Sequence, residues 1–535
     1  MKSRITIALV VRIALAVFTR TFFQPDEYFQ ALEPAHHIVF GYGFMTWEWL
    51  ATQPIRSIVY PALNVPIYWL LKVMRLDDTK LLVLAPKVLH GALAAGTDVY
   101  VRELARVIVG ERYVDVTYMV SLLSCFHGVA LSRSLSNSLE TTLTTTALAH
   151  FPWDSINIKP WKLRRCLAFA ALACMVRVTN AILWVFLAPL LLWRIRKQPS
   201  LCVGLIRDAL LIGLGALALL IALDSAYYGK LTVTPLSFLE TNASSVSLFY
   251  GNAAWHYYTT QALPVLLGPA LPFFVSGVWS VIKEGDLRPK QALAFILWVT
   301  TAYSFFGHKE WRFLHPVLPM MHVISAKYVV DSYHARTPAG LRQGIAIRPA
   351  HFIVLSTAIP LVFYASLFHS SAQISVMEYL RALPESRLHS VGFLMPCHST
   401  PGQSHLHKPS LEVWALGCEP PLGLDVGTAK LYRDQTDVFF AEPLQYMDKH
   451  FPSTVNSSFP PSPLPTTPPG TTSSGIWVHE WPTHLVLFGA LLHEEGVEYK
   501  LRDLGYNQVW HAGNGIEEDP RRRGGVRVWL WNEFA

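Results

Sequence analysis

The sequence predicts a polytopic α-helical membrane protein that ends in an α/β domain, and three observations support this fold class. Of the 535 residues, 52% are apolar and only 15% are charged, whereas soluble domains carry roughly 25% charged residues. Apolar segments long enough to span a bilayer, about 20 residues each, follow one another over the first two thirds of the chain. From about Ser370 the pattern changes to short runs typical of alternating strands and helices.

The apolar segments predict about eleven transmembrane helices within a membrane module of residues 1–369. The candidate helices are Ile5–Phe23, Ser57–Met74, Leu81–Leu104, Val114–Leu131, Ser138–His150, Arg165–Trp193, Val203–Leu223, Gln261–Ile282, Gln291–Phe306, Leu314–Val330 and Phe352–Phe368. Arg165–Trp193 is long enough to form two helices around Arg177. No cleavage site follows Met1–Arg4, so we expect the first helix to be retained.

Basic residues in the short loops predict which helix ends lie in the cytosol. The ends marked in this way are Lys72–Lys80, Arg194–Arg207, Lys283–Lys290 and Lys327–Arg348. Lys159–Arg165 conflicts with a simple count of crossings, which places it on the other side. Whichever side Lys159–Arg165 lies on, one side of the membrane carries the first loop, Asp224–Tyr258, Gly307–Arg312 and the C-terminal domain. The net charge of +7 is accounted for by these loops, and no nucleic-acid-binding motif is present.

The pattern of short apolar runs in residues 370–535 predicts a compact α/β domain on the same side of the membrane as the first loop. Strands are expected at Ser390–Met395, Leu485–Leu491, Asn507–His511 and Val526–Trp531, and helices at Val376–Leu383 and His493–Leu504. The Pro/Ser/Thr tract at residues 452–475 is expected to be a disordered insertion. Asn242 and Asn456 each begin an N-x-S/T sequence, which predicts N-glycosylation.

The six cysteines divide by their surroundings. Four lie in or beside apolar segments, where packing is the expected role. Cys397 and Cys418 lie in the polar C-terminal part, and if that part is luminal we expect a disulfide between them. No Cys/His set has the spacing of a zinc site, so we expect no metal and no cofactor.

The first loop, residues 24–56, carries the strongest functional signal. Asp26 and Glu27 follow the first apolar segment and are surrounded by aromatic residues. Charge at a bilayer boundary costs free energy unless it is solvated or used, although capping of a helix would also explain the two acids. Trp47, Glu48 and Arg56 add aromatic surface, a further acid and a planar cation. This combination suits recognition of sugar or phosphate.

A second polar segment, residues 307–313, joins two apolar helices. His308, Lys309 and Arg312 supply three basic groups beside Glu310. These groups could form a clamp for a phosphate, or they could be side chains that extend to lipid headgroups.

Three further segments contain residues that interrupt the apolar pattern. Asn137 and Glu140 lie between two apolar runs, where a helix N-terminus is the alternative explanation, and Arg177 lies within a long apolar segment. Trp255 and His256 belong to an aromatic-rich loop, which fits sugar stacking and anchoring at the membrane surface about equally. We therefore count these five residues as candidates for substrate binding.

Two of these segments resemble one known family. The sequence Pro-Asp-Glu-Tyr followed by Thr-Trp-Glu-Trp and Arg-Ser, and the sequence His-Lys-Glu-x-Arg-Phe from His308, are similar to motifs of the endoplasmic-reticulum mannosyltransferases of glycosyltransferase family 22. The resemblance implies the GT-C fold and a dolichyl-phosphate mannose donor. It also implies that Asp26 is the base, that Glu27 orients the acceptor or replaces Asp26, and that residues 308–312 hold the donor phosphate.

A third motif narrows the resemblance within that family. Met395-Pro-Cys-His-Ser-Thr-Pro and Cys418-Glu-Pro-Pro are similar to members that act in glycosylphosphatidylinositol (GPI) anchor synthesis. This implies inverting transfer of mannose, in α-1,2 linkage, to the second mannose of a GPI-anchor intermediate at the luminal face of the endoplasmic-reticulum membrane. The alternatives are a mannosyltransferase of the dolichol-linked N-glycan precursor, a non-catalytic subunit and, from another class, a lipid or solute transporter, which would be expected to show paired halves.

Overall fold

The computed structural model describes residues 2–154, 158–244, 246–337, 344–463 and 477–532. The α-helices of the N-terminal part are Lys2–Phe18, Glu33–Phe40, Trp47–Leu50, Val65–Met74, Leu81–Ile108, Val114–Leu122, Ser136–His150, Pro160–Val176, Ala181–Ile195, Pro199–Tyr228, Thr234–Ala243, Val246–Phe249, Leu263–Leu267, Leu271–Lys283, Leu287–Ser304, Leu318–Arg336, Pro349–Ser356 and Ala358–Leu367. Within the described residues, five continuous helical segments are long and apolar enough to cross a membrane. They are Val178–Ile195, Pro199–Tyr228, Tyr258–Lys283, Trp311–Arg336 and Pro349–Ala382.

A buried ion pair joins the first helix to the helix Leu81–Ile108. The Arg12 guanidinium donates Nε to Asp98 Oδ2 at 2.6 Å and Nη2 to Asp98 Oδ1 at 2.9 Å. It also donates to the backbone carbonyls of Ser121 and His127, each at 3.0 Å. Both charged side chains are fully buried. One arginine therefore connects the helices Lys2–Phe18, Leu81–Ile108 and Val114–Leu122, and the buried guanidinium is compensated by Asp98 and two carbonyls.

The predicted span Ser57–Met74 is wrong. The structure has only the helix Val65–Met74 there, which is about 15 Å long by the rise of an α-helix and too short for a hydrocarbon core of about 30 Å. Tyr68 and Leu71 of this helix pack against the helix Glu33–Phe40, whereas Trp69, Leu70, Val73 and Met74 on its other face are exposed. Arg381 of the C-terminal domain donates to the carbonyls of Asp77 and Thr79, so the expected cytosolic end at residues 72–80 lies beside that domain instead.

The long segment Arg165–Trp193 forms two helices, the alternative that the sequence left open. They are Pro160–Val176 and Ala181–Ile195, and Arg177 lies in the turn between them. The structure thus has one short helix in place of one expected span, and two helices where the sequence allowed either one or two. The short predicted helix at 138–150 is present as Ser136–His150.

The C-terminal part contains a mixed five-stranded sheet. Its strands are β1 Ser390–Leu394, β2 Glu412–Ala415, β3 His484–Phe488, β4 Tyr506–Ala512 and β5 Val526–Trp531, in the order β2-β1-β3-β5-β4. Its helices are Ala372–Ala382, Gln403–Leu406, Val426–Leu431, Gln435–Ala441, Pro443–His450 and Val497–Asp503. Strands β2, β1 and β3 are parallel, whereas β5 is antiparallel to both β3 and β4.

Each face of the sheet covers its own hydrophobic core. Leu485 and Leu487 of β3 pack into one core, and Val486 and Phe488 pack into the other, as expected from the two-residue period of a strand. Strand β2 was not predicted because it is short and exposes Glu412. It is held by close packing, since a Cβ atom at Gly392 would lie 2.3 Å from the Trp414 ring.

The expected disordered insertion is wrong over the part that the structure describes. Phe459 is buried and its ring lies 5.5 Å from that of Trp531. Trp481 donates its indole N–H to the Pro452 carbonyl at 2.8 Å. Pro452 and Phe459 therefore contact the sheet domain, although most side chains between them are exposed. The rest of the predicted insertion, from residue 464 to 475, lies outside the described residues.

The C-terminal domain is fastened to the first loop by a buried carboxylate. Glu33 accepts hydrogen bonds from the backbone N–H groups of Phe44, Gln403 and Ser404, at 3.1, 3.0 and 2.7 Å. A Cβ atom at Gly402 would lie 2.8 Å from this carboxylate, so only glycine allows the approach. The loop and the domain thus form one continuous surface.

Candidate active site

An ion-pair network joins the first loop to residues 307–313. The Arg312 guanidinium contacts Asp26 through Nη1 and donates Nη2 to Glu310 Oε1 at 2.8 Å. His308 Nε2 lies 3.1 Å from the same Glu310 oxygen. Burial alone would raise the pKa of Glu310, but Arg312 and His308 lower it below its ordinary value, so this acid is ionised. Two carboxylates therefore hold the Arg312 fork in one orientation.

Asp26 and Glu27 are adjacent in sequence but occupy different environments. The Asp26 side chain is 18% exposed, whereas that of Glu27 is 5% exposed and lies 3.3 Å from Arg133. Glu27 also accepts the backbone N–H of Gln24 at 3.1 Å. Burial raises the pKa of Glu27, and Arg133 opposes the shift. Asp26 is thus the more accessible acid, and Glu27 is a partner for a buried arginine.

Arg56 and Arg177 line one small cavity at the edge of this network. Arg56 donates Nη2 to Glu48 Oε1 at 2.6 Å, and Arg177 Nε lies 3.2 Å from Glu140 Oε2. The cavity is lined in part by apolar residues, namely Met175, Val176, Leu220 and Phe238, and in part by polar ones such as Gln30, Ser136 and Thr179. Two arginines therefore lie beside a cavity of mixed polarity, and arginine is a residue type that binds phosphate oxygens.

Two further predicted residues hold parts of the site together. Asn137 donates Nδ2 to the Arg312 carbonyl at 3.3 Å, which ties the start of the helix Ser136–His150 to the network. Lys309 Nζ donates to the Ala253 carbonyl at 2.7 Å and is largely buried. Lys309 thus fastens the loop before Tyr258, and its expected contact with a phosphate stays a prediction.

The structure places the predicted residues Trp47, Trp255 and His256 in different surroundings. Trp47 lines a large cleft beside the network. Trp255 is 76% exposed, and His256 Nδ1 lies 3.1 Å from Thr260 Oγ1 on its own helical turn. The structure therefore places Trp255 and His256 at the surface, outside the ion-pair network, and their expected role in substrate binding stays a prediction.

The large cleft, of about 1200 Å³, lies between the first loop and the C-terminal domain. Cys397 and Cys418, the two cysteines expected to pair, form a disulfide on its wall, with Cα atoms 5.9 Å apart. The ring of His398 lies 4.5 Å from that of Phe29, and burial lowers the pKa of His398 to about 4. This histidine is therefore neutral near pH 7.

Sequence reasoning did not select Arg133 or His398 as site residues. Arg133 was visible only as a charge beside an apolar run, and its pairing with Glu27 spans 106 residues. His398 lay within the quoted Pro-Cys-His motif, but the sequence could not show that its ring would pack against Phe29 of the first loop. The two predicted glycosylation sites, Asn242 and Asn456, are exposed, and their modification stays a prediction.

Two groups of side chains have the composition of a metal site among the described residues. Cys397, His398 and Cys418 form the first, but the two sulfurs are joined in the disulfide and thiolates are what would bind a metal. Asp77, Asp78 and His407 form the second, at the edge of the first loop. Neither group lies in the ion-pair network, and the expectation that the protein uses no metal stays a prediction.

Comparison with known protein families shows which family this chain belongs to. The model of the Alg9-like mannosyltransferase family matches residues 3–407. GPI mannosyltransferase 3 of Yarrowia lipolytica is 36% identical over 97% of this chain and 95% of its own length. GPI alpha-1,2-mannosyltransferase 3 of Mus musculus is 34% identical over 85% of this chain and 79% of its own length.

The fold also resembles two solved structures. ArnT from Cupriavidus metallidurans, bound to undecaprenyl phosphate, aligns with 98% of this chain and 97% of its own, with a TM-score of 0.57 and 11% identity. The Archaeoglobus fulgidus oligosaccharyltransferase aligns with 96% of this chain and 73% of its own, with a TM-score of 0.51 and 11% identity. These matches, with the apolar helices, confirm the predicted GT-C membrane fold. The chain therefore belongs to the Alg9-like mannosyltransferase family and is a polytopic membrane mannosyltransferase.

Proposed function

We propose that this enzyme transfers mannose from dolichyl-phosphate mannose, in α-1,2 linkage and with inversion, to the second mannose of a GPI-anchor intermediate. The observation that carries the proposal is the contact between Asp26 and Arg312, which puts a reachable carboxylate next to a fixed cation. The full-length similarity to GPI mannosyltransferase 3 proteins supports the acceptor class. The mouse relative is a GPI alpha-1,2-mannosyltransferase 3 by name, which supports the linkage.

In the proposed reaction the acceptor hydroxyl oxygen attacks the anomeric carbon of mannose. The bond between that carbon and the donor phosphate oxygen breaks, and dolichyl phosphate leaves with the electron pair. Asp26 accepts the hydroxyl proton, a contribution worth about 10²–10⁴-fold in rate. Arg312 holds the carboxylate in place before the reaction and lies where it can also stabilise charge on the leaving phosphate.

For the donor phosphate we propose a site shared by Arg312, Arg56 and Arg177. The last two line a cavity that also contains Met175, Val176 and Leu220 of two long apolar helices, and a lipid chain could pass along these residues from the phosphate towards the bilayer. His308 then acts through Glu310, to which it is hydrogen-bonded. Arginine suits this role because its planar fork can hold two phosphate oxygens at once.

We propose eleven crossings, with the N-terminus in the cytosol and the catalytic network in the endoplasmic-reticulum lumen. The crossings are Lys2–Phe18, Leu81–Ile108, 114–131, Ser136–His150, Pro160–Val176, Ala181–Ile195, Pro199–Tyr228, Tyr258–Lys283, Leu287–Ser304, Trp311–Arg336 and 349–367. With Ser57–Met74 removed from the count, the basic segment 159–165 falls on the cytosolic side. This removes the conflict with the positive-inside rule at 159–165. The basic segment 72–80 then falls on the luminal side, next to the C-terminal domain that Arg381 connects to it.

The test is lipid profiling in cells that lack the protein. The proposal expects a GPI intermediate with two mannoses to accumulate, and re-expression of the wild-type chain to clear it. Dolichol-linked N-glycan precursors, profiled in the same extracts, should be unchanged. Accumulation of a truncated N-glycan precursor in place of the GPI intermediate would assign the enzyme to the other branch of the family.

A further inference from the structure

His398 belongs to the C-terminal domain but lies against the first loop. Its ring centre is 4.5 Å from that of Phe29 and 6.4 Å from that of Phe44. The side chain is half-buried and lines the large cleft together with both of these residues. Asp26 lies three residues before Phe29 in the same helical segment, and its charge opposes the effect of burial on the pKa of His398. His398 is therefore close to the proposed base.

The backbone of His398 has a conformation that residues other than glycine rarely adopt. Its φ angle is 54°, in the left-handed region. The residue before it, Cys397, is joined to Cys418 by the disulfide. The residue after it, Ser399, donates its hydroxyl to the Pro396 carbonyl at 2.5 Å. The conformation is thus fixed from both sides, and sparsely populated conformations held in this way cluster at functional sites.

The two ring nitrogens of His398 differ in their surroundings. Nδ1 lies 3.6 Å from Cys418 Sγ, and a disulfide sulfur has no hydrogen, so Nδ1 is the donor in this contact. The ring is neutral near pH 7, because burial lowers its pKa to about 4. A neutral imidazole that carries its proton on Nδ1 has an acceptor lone pair on Nε2. Among the described residues no donor reaches Nε2, so this acceptor is available to a ligand in the cleft.

The cleft beside His398 suits an uncharged sugar. Its volume is about 1200 Å³, which exceeds the roughly 300–1,000 Å³ of sites for drug-sized ligands. Among the described residues that line it there are two acids, Glu412 and Glu419, and no lysine or arginine. A phosphate would find no cation there. The mannose residues of the acceptor carry hydroxyl groups and no charge, so they fit this surface.

The proposed reaction limits which hydroxyl group can bind to Nε2. The attacking 2-hydroxyl gives its one hydrogen to Asp26, so it cannot donate to His398 as well. The carbons next to C2 are C1, whose oxygen is in a glycosidic bond and has no hydrogen, and C3, which carries a hydroxyl group. The 3-hydroxyl is therefore the nearest donor left for an acceptor beside Asp26.

We propose that His398 accepts a hydrogen bond from the 3-hydroxyl of the acceptor mannose and thereby presents the 2-hydroxyl to Asp26. The inference rests on the proposed function and adds a substrate-binding residue to it. The competing explanation of His398 is packing, in which its ring only supports Phe29.

The experiment measures the KM for the acceptor in microsomes from deficient cells that express the full chain. Three synthetic acceptors are compared: the complete one, and two whose receiving mannose is 3-deoxy or 4-deoxy. For the wild type we expect the 3-deoxy acceptor to raise the KM about tenfold, which corresponds to about 1.4 kcal/mol. The 4-deoxy acceptor should behave as the complete one.

Two variants separate the hydrogen bond from the packing. His398→Phe keeps a ring against Phe29 but has no nitrogen, so the KM for the complete acceptor should rise about tenfold. The 3-deoxy acceptor should cause no further rise in this variant, because the two changes remove the same contact. His398→Gln loses the ring but keeps an acceptor oxygen, so it should retain part of the discrimination. The KM for the donor should stay unchanged in both.

The control is His493→Gln, which changes an exposed histidine of the same domain outside the cleft. It should behave as the wild type with all three acceptors. The amount of folded protein is compared by immunoblot and by the unfolding temperature in detergent, so that a loss of protein is not counted as a loss of binding.

The outcomes separate the inference from the function on which it rests. A wild type that uses the 3-deoxy and the complete acceptor equally well overturns the inference without any variant. A His398→Phe protein that behaves as the wild type, or that still discriminates between the two, overturns it as well and leaves packing as the role of the ring. If the wild-type chain transfers no mannose to the complete acceptor, the proposed function itself has failed.

Discussion

The different surroundings of Asp26 and Glu27 lead to opposite effects for two nearly identical substitutions. Asp26→Asn keeps the size of the side chain but removes its ability to accept a proton. Arg312 loses one anionic partner in this variant and keeps the other, Glu310. We therefore expect the protein to fold and insert normally, and its transferase activity to fall.

The size of the loss follows from the role assigned to Asp26. A positioned general base contributes about 10²–10⁴-fold to the rate, so the turnover of Asp26→Asn should fall by at least about a hundredfold. The KM for either substrate should change much less, because the side chain keeps its shape. The assay is transfer of labelled mannose to the purified acceptor in microsomes, with the amount of enzyme normalised by immunoblot.

Glu27→Gln is the matched control on the neighbouring residue. It leaves the Arg133 cation in a buried site without its counter-charge, and breaking a buried pair in this way costs about 3–5 kcal/mol. We expect a lower yield and a lower unfolding temperature in detergent. The protein that does fold should keep a turnover within about tenfold of the wild type, which is below the loss expected from removal of a base.

The opposite pattern would refute the reasoning. If Asp26→Asn restored GPI synthesis in deficient cells at low expression, Asp26 would not be the base. If Glu27→Gln were as stable as the wild type but inactive, the base would be Glu27, and the buried pair with Arg133 would have to open during the reaction.

Three further predictions concern the clamp, the disulfide and the topology. Arg312→Lys keeps the charge but loses the planar fork, so the KM for dolichyl-phosphate mannose should rise severalfold while the KM for the acceptor changes little. A change in the KM for the acceptor alone would contradict the clamp. Non-reducing peptide mapping should find Cys397 linked to Cys418, and the linkage should add about 3 kcal/mol of stability; two alkylated thiols in native protein would contradict it. In the proposed topology residue 80 is luminal and residue 197 is cytosolic. Lys80→Cys should therefore react with a membrane-impermeant maleimide only after microsomes are permeabilised, whereas Lys197→Cys should react in intact microsomes. Equal reactivity of the two variants would contradict this topology.

The membrane helices could be predicted from the sequence where apolar length was the deciding property. That criterion failed at Ser57–Met74, because the composition is that of a span but the helix is only ten residues long. The chain turns before Val65, which the composition of the segment does not reveal, and one face of the helix packs against the helix Glu33–Phe40. The basic residues of 72–80 then appeared to mark a cytosolic end, although Lys72 donates to the Val39 carbonyl of that neighbouring helix.

Part of the candidate site could also be predicted from the composition of the sequence. Asp26, Glu310 and Arg312 stand out because charges are scarce near apolar segments, and the structure brings all three into one network. Which of two adjacent acids would be reachable could not be read from the sequence, since it depends on Arg133, more than a hundred residues away. The cleft was equally hidden, because its walls come from parts of the chain that are more than 300 residues apart.

The Arg12–Asp98 pair has a consequence for how the protein is made. In the proposed topology the first helix enters the membrane during synthesis with Arg12 in its middle, and its partner Asp98 follows 86 residues later. An arginine at the centre of an isolated helix costs about 2.5–3.5 kcal/mol on insertion scales. We therefore expect the first helix to be a poor anchor until the helix Leu81–Ile108 is made, and we expect loss of Asp98 to lower the amount of inserted protein rather than the activity of each inserted molecule.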